Sequence, residues 1–112
     1  MEIRYYKLNK DHTVTALAGI EDLINGKSIT NKVERTVTKG HVEVSTIFLV
    51  FDHNWDGHGK PILFETMIFG GEHDSYQRRY YTYDEALEAH NKIVQALNED
   101  HHPDYYINKK ED

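Results

Sequence analysis

The side chains best suited to chemistry in this chain lie between Asp52 and His90. The segment Asp52-His53-Asn54-Trp55-Asp56-Gly57-His58-Gly59 collects two carboxylates, two imidazoles and the only Trp of the sequence. Imidazole and carboxylate are ligand types for zinc, manganese or iron, and glycine lets backbone wrap closely around an ion. The spacing matches neither the HExxH pair of a helix nor an EF-hand loop, so it fixes no coordination geometry. The plainer reading is a hydrophilic hairpin loop, with Asp52 bonded to nearby backbone and Trp55 folded over the strand ends.

Glu65 is the most informative acid. It alternates with Leu63, Met67 and Phe69, so a regular strand sets its carboxylate among apolar side chains on one sheet face. A buried carboxylate needs a cation, hydrogen-bond donors or a raised pKa. Arg78, Arg79 and His90 are the partners available, and the alternative is a structural ion pair or a solvated sheet face. His90 falls inside the apolar stripe of the last helix, where it is either a core residue satisfied by one hydrogen bond or a member of a pocket. If that helix crosses the central strands, His90, Glu65, Asp52 and His53 converge. Their chemistry is then that of a small metal-dependent hydrolase, with metal-activated water and a carboxylate as proton acceptor.

The run Tyr76-Gln77-Arg78-Arg79-Tyr80-Tyr81 interleaves cations and rings as single-strand binders do. It is short and sits in an acidic chain, so it reads as a strand with one aromatic face, leaving room for a small nucleotide. His101-His102 read as solvated tail residues. The candidate ligand-binding set is therefore Asp52, His53, Trp55, Glu65, Arg79 and His90. No catalytic residue is assigned and no cofactor is expected, a divalent metal being the one ion this set could hold.

Two apolar runs, residues 45–51 and 61–69, must position that set as a buried hairpin. Both turn apolar on two faces over part of their length, the pattern of central strands. Residues 1–8, rich in Ile and Tyr, predict a first strand at an edge; residues 31–38 and 76–81 predict two more. Leu17, Ile20, Leu23 and Ile24 recur at helical spacing over residues 16–25, with Asn25-Gly26 as the stop. Thr82 and Glu85 form a capping box opening a second helix, whose stripe is Ala86, Leu87, His90, Ile93, Val94 and Leu97. The expected fold is α+β, an antiparallel sheet of four to five strands with two helices packed on it, over residues 1–100. Residues 101–112 are expected as a loosely held C-terminal tail.

Length and composition bound the function. A chain of 112 residues is one domain with a single modest core. The net charge of −6 argues against long nucleic acid or an anionic membrane and favours a basic protein surface as the charged partner. With no Cys, disulfides, thiolate metal sites and Cys nucleophiles are excluded. The first residues lack the apolar core of a secretion signal, and no apolar run approaches the roughly 18 residues of a membrane-spanning helix. The expected location is the host cytoplasm.

The pieces Ser45-Thr46-Ile47-Phe48-Leu49-Val50-Phe51-Asp52-His53 and Phe64-Glu65-Thr66-Met67-Ile68-Phe69-Gly70-Gly71, followed by Arg79-Tyr80, Asp84-Glu85-Ala86 and His90, resemble a group of small proteins encoded by bacteriophages and prophages. Arg4-Tyr5-Tyr6 is similar as well. Val50-Phe51 stand where that group carries Gly-Leu, and Ala89 where it carries Gly. The resemblance implies a phage accessory protein and brings no catalytic residues. The expected role is binding: inhibition of a host defence factor by engaging a protein or capturing a small nucleotide. The hydrolase above and a virion structural or assembly protein, a homo-oligomer joined through the edge strand of residues 1–8, are the alternatives.

Overall fold

The computed structural model describes residues 3–19, 21, 31–54 and 59–109. In chain order the elements are β1 (Tyr6–Leu8), β2 (Val14–Ala16), β3 (Lys32–Val37), β4 (Glu43–Phe48), β5 (Phe64–Phe69), β6 (Gln77–Tyr80), α1 (Tyr83–Asn98) and α2 (Tyr105–Asn108). The fold is α+β. Strands β3 to β6 form a four-stranded antiparallel meander in sequence order, and β1 and β2 form a separate antiparallel hairpin.

Alternation decides the two faces of the meander. Val44, Thr46 and Phe48 of β4 and Phe64, Thr66 and Ile68 of β5 are all buried against α1. The helix meets them with Ala86, Ala89, His90, Ile93 and Ala96. Alanine at three of these positions removes bulk and lets the helix axis settle close to the sheet, where Ile93 reaches Val44 and Ile68. The predicted stripe thus holds at Ala86, His90 and Ile93, while Leu87, Val94 and Leu97 are only half-buried and flank it. The β1–β2 hairpin extends the same core, with Tyr6, Leu8 and Val14 packed beside Phe48, Leu63 and Phe64.

Helix α1 starts and stops as its chemistry dictates. The Thr82 hydroxyl oxygen accepts the Glu85 amide at 3.1 Å and its hydrogen points to the Glu85 carboxylate at 3.0 Å. At the other end Asp100 takes φ 62°, its amide reaches Leu97 O at 3.1 Å and the His101 amide reaches Ala96 O at 2.8 Å. This is a Schellman ending with Asp in the place glycine usually holds.

Three expectations change. Strand β4 stops at Phe48, because Val50 adopts φ 71° and the Phe51 amide bonds back to Leu49 O at 2.7 Å, a γ-turn that breaks the extended run. Residues 14–16 pair as β2, so Ala16 opens no helix; the rest of the helix expected over 16–25 lies, from residue 20 on and apart from Glu21, outside the described residues. The first strand is only Tyr6–Leu8, preceded by a bridge from Tyr5 to Phe51.

The segment expected to hang loosely from residue 101 carries contacts of its own. Pro103 is fully buried, Tyr76 donates to the Asp104 carboxylate, and Ile107 packs against both halves of the core.

Candidate functional site

Asp52 and His53 follow the γ-turn at Val50. The Asp52 carboxylate oxygen Oδ1 accepts two backbone amides, Asn54 at 2.8 Å and Ile62 at 2.9 Å, and so ties the start of the loop to its end. The His53 amide donates to Ile62 O at 3.0 Å and completes the closure. Its ring lies over Phe51, centroids 4.5 Å apart, with Nδ1–H donating to Phe51 O at 2.9 Å. Asn54 adds a side-chain bond to Lys60 O at 3.0 Å. Each of these polar groups is engaged in turn chemistry. Trp55, with residues 56–58, lies outside the described residues.

Glu65 and Arg79 are directly opposed in the β5–β6 register. Arg79 Nε donates to Glu65 Oε2 at 2.8 Å, and Gln77, diagonal on the same strand, donates to the same oxygen. The buried acid therefore has the cationic partner its burial calls for. Cross-strand partners share a face, so this cluster lies with Ile47 and Met67 on the side of the sheet away from α1.

His90 lies on the other side. It is completely buried, its Nδ1 is 2.7 Å from Thr46 Oγ1 and its Nε2 is 2.9 Å from Thr36 Oγ1. Thr46 Oγ1 is 2.5 Å from Thr66 Oγ1, which accepts the Tyr80 hydroxyl at 3.1 Å. Each strand of the meander thus contributes one hydroxyl to a chain that runs under the helix. A head-to-tail order from Tyr80 through Thr66 and Thr46 to Nδ1, with Nε2–H donating to Thr36, lets every link donate and accept in turn and sets the tautomer. Burial holds the His90 pKa below its ordinary value, and Glu34 on β3 opposes that only in part. Burial also raises the Tyr80 phenol.

The convergence expected of the set is therefore absent between its two central members: Glu65 and Arg79 meet on one face, His90 is sealed beneath the other, and Asp52 and His53 close a loop beyond the end of β4. The metal-dependent hydrolase needs Glu65 and His90 in one cavity, and the sheet stands between them. Among the described residues no group of three His, Asp or Glu side chains could hold a metal ion. Sequence reasoning missed the threonine row, although Thr46 and Thr66 occupy inward positions between apolar residues, which is the signal that could have found it.

Two clefts open elsewhere. One of about 420 Å³ is lined by Thr38, Val42, Glu72, His73, Asp100 and His102 among others. One of about 280 Å³ lies between the β1–β2 turn and the start of α1, where the His12 ring stacks 3.7 Å above Tyr83. Among the described residues neither is lined by Arg or Lys, so neither resembles a phosphate cradle. No described helix is long and apolar enough to cross a membrane. No family model, no curated protein and no solved structure matches the chain.

Proposed function

We propose that this protein acts by binding rather than catalysis, as a small acidic accessory protein of phage type that occupies a host defence protein in the host cytoplasm. The observation that carries the reading is the side of the sheet opposite α1, where Val37 and Phe69 stand exposed at one end and the Glu65–Arg79 pair is held at the other. The side chains that sequence offered for catalysis support the same conclusion, since each described one is held in a turn, an ion pair or the core. Engagement of a protein is preferred to capture of a nucleotide because the anchored Arg79 reaches solvent and, among the described residues, neither of the two clefts is lined by Arg or Lys.

The test is capture from bacterial lysate with crosslinking, followed by assay of the captured factor. The expected result is a stoichiometric partner crosslinked to β3–β5 whose own activity falls in the complex. Recovery of no such partner rejects the reading. A nucleotide carried through purification, detected by native mass spectrometry, replaces it with ligand capture.

A further inference from the structure

The cleft between the β1–β2 turn and the start of α1 combines aromatic rings with unneutralised acid. Its lining includes two carboxylates, Asp11 and Asp84, and four rings, His12, Phe64, Tyr81 and Tyr83. Among the described residues no Lys or Arg joins them, so no permanent cation answers the two acids. Asp11 uses Oδ1 to accept the Thr13 amide at 3.1 Å and the Thr13 hydroxyl, which fixes its carboxylate in the turn. The Asp84 carboxylate makes no hydrogen bond or ion pair to any described residue. Phe64 is fully buried and meets Tyr83 edge-on at 6.2 Å, whereas Tyr81 is 44% exposed.

The fold itself already seats a flat nitrogen ring in this place. His12, the sole base in the lining, lies on Tyr83 with centroids 3.7 Å apart and planes 12° from parallel. It is held there from a left-handed backbone, φ 71°, with its amide bonded to Asn9 O at 3.0 Å. That conformation is uncommon outside glycine, so the stack is specified by the turn rather than left to chance.

We infer that this cleft is a binding site for a guanidinium group, which stacks on the rings and pairs with Asp84 and Asp11. The inference goes beyond the binding reading above and is independent of it, because Phe64 belongs to the side of the sheet that α1 covers and Val37 and Phe69 to the other. Guanidinium is favoured over ammonium because it is planar and weakly hydrated, stacks on aromatic faces and presents a fork that matches a carboxylate. The net charge of −6 draws cations toward the molecule. The positive end of the α1 dipole, which opposes a cation, is offset by Asp84 and Glu85 in the first turn and by the Thr82 cap. An anion would face both carboxylates. At about 280 Å³ the cleft lies just under the range of about 300–1,000 Å³ usual for drug-sized ligands, so it suits a group the size of one side chain. The guanidinium belongs either to an arginine of a polypeptide or to a free small guanidine, and the chemistry of recognition is the same.

The experiment titrates isotope-labelled protein and follows backbone amide shifts with four probes: arginine blocked at both ends by acetyl and amide groups, its citrulline and lysine counterparts, and agmatine. The expected result is saturable shifts at Thr13, Tyr83 and Asp84 with the guanidinium probes, at least about tenfold weaker binding of the citrulline probe, and weakening by salt. Asp84→Asn should weaken the blocked arginine at least about fivefold. If Asp84→Asn fails to fold, Tyr81→Ala at an exposed position should weaken it by a similar factor. Tighter binding of blocked arginine supports a polypeptide source, and tighter binding of agmatine supports a free guanidine. Equal binding of citrulline, tighter binding of lysine, shifts confined to other surfaces, or no saturation at tens of millimolar each overturn the inference. Loss of the lysate partner leaves these titrations unchanged, and failure of the titrations leaves the lysate capture unchanged.

Discussion

His90 Nδ1 lies 2.7 Å from Thr46 Oγ1 at the centre of the core, with no ionised group bonded to its ring. A proton added there would create a buried charge and reverse the donor order of the chain. The folded pKa is below the ordinary 6.5, so below that pH the unfolded chain takes up a proton that folded His90 does not. Stability should be unaffected by this residue above pH 6.5 and should fall as pH drops from there toward the lower folded value, by up to about 1.4 kcal/mol per pH unit. Urea unfolding at several pH values between 7.5 and 5 measures it. In His90→Gln that part of the slope should vanish; equal slopes in the two proteins would reject the assignment.

Thr46 bonds His90 on one side and Thr66 on the other. Thr46→Val keeps shape but leaves both neighbours short of a partner in a dry site, at an expected cost of about 1–3 kcal/mol. Thr46→Val and Thr66→Val should be strongly non-additive in a double-mutant cycle, with a coupling of about 0.5–3 kcal/mol. Additive losses would show that the hydroxyls act separately.

Removal of the Arg79 head strands a carboxylate that is almost wholly buried. Arg79→Met should cost about 1–3 kcal/mol, below the 3–5 kcal/mol of a fully buried pair because Arg79 reaches solvent. Glu65→Leu combined with Arg79→Met should recover most of the loss, since an apolar pair needs no compensation. Chemical denaturation of the three variants decides the point, and a double variant no more stable than Arg79→Met would contradict the account.

Val50 combines a β-branched side chain with φ 71°, a pairing that costs free energy in any context. Val50→Ala loses apolar contact and keeps part of the strain, whereas Val50→Gly loses the contact and relieves the strain. The glycine variant should therefore be the more stable of the two by about 1 kcal/mol, the reverse of the order in a regular strand. Thermal melts of both variants check this.

Period-two alternation makes β4 to β6 legible in the residues themselves, whereas a bulge between Lys32 and Glu34 breaks it in β3 and sends Val33 to the core while Arg35 and Val37 lie on the other face; the Thr82–Glu85 box marks the start of α1 to the residue. What is not legible has physical reasons. A three-residue strand such as Val14–Ala16 is too short to display a period, and its pairing leans on the Asn9 side chain, which bonds Thr13 and Thr15 across the turn. Val50 resembles a strand residue because nothing in a β-branched side chain announces a left-handed backbone. Within the candidate site, the Glu65–Arg79 partnership follows from the apolar neighbours of Glu65. The separation of Glu65 from His90 does not, because it depends on which face the helix covers.

The hydroxyl chain also has a bearing on how the strands find one another. Alternating apolar residues tolerate a slip of two positions, since the same face stays inward. Such a slip would carry a threonine roughly 6.6 Å along its strand and out of reach of its neighbour. The hydroxyl row, one residue from each strand with the His90 ring closing it, therefore acts as a register gauge, admitting only the alignment in which all four meet.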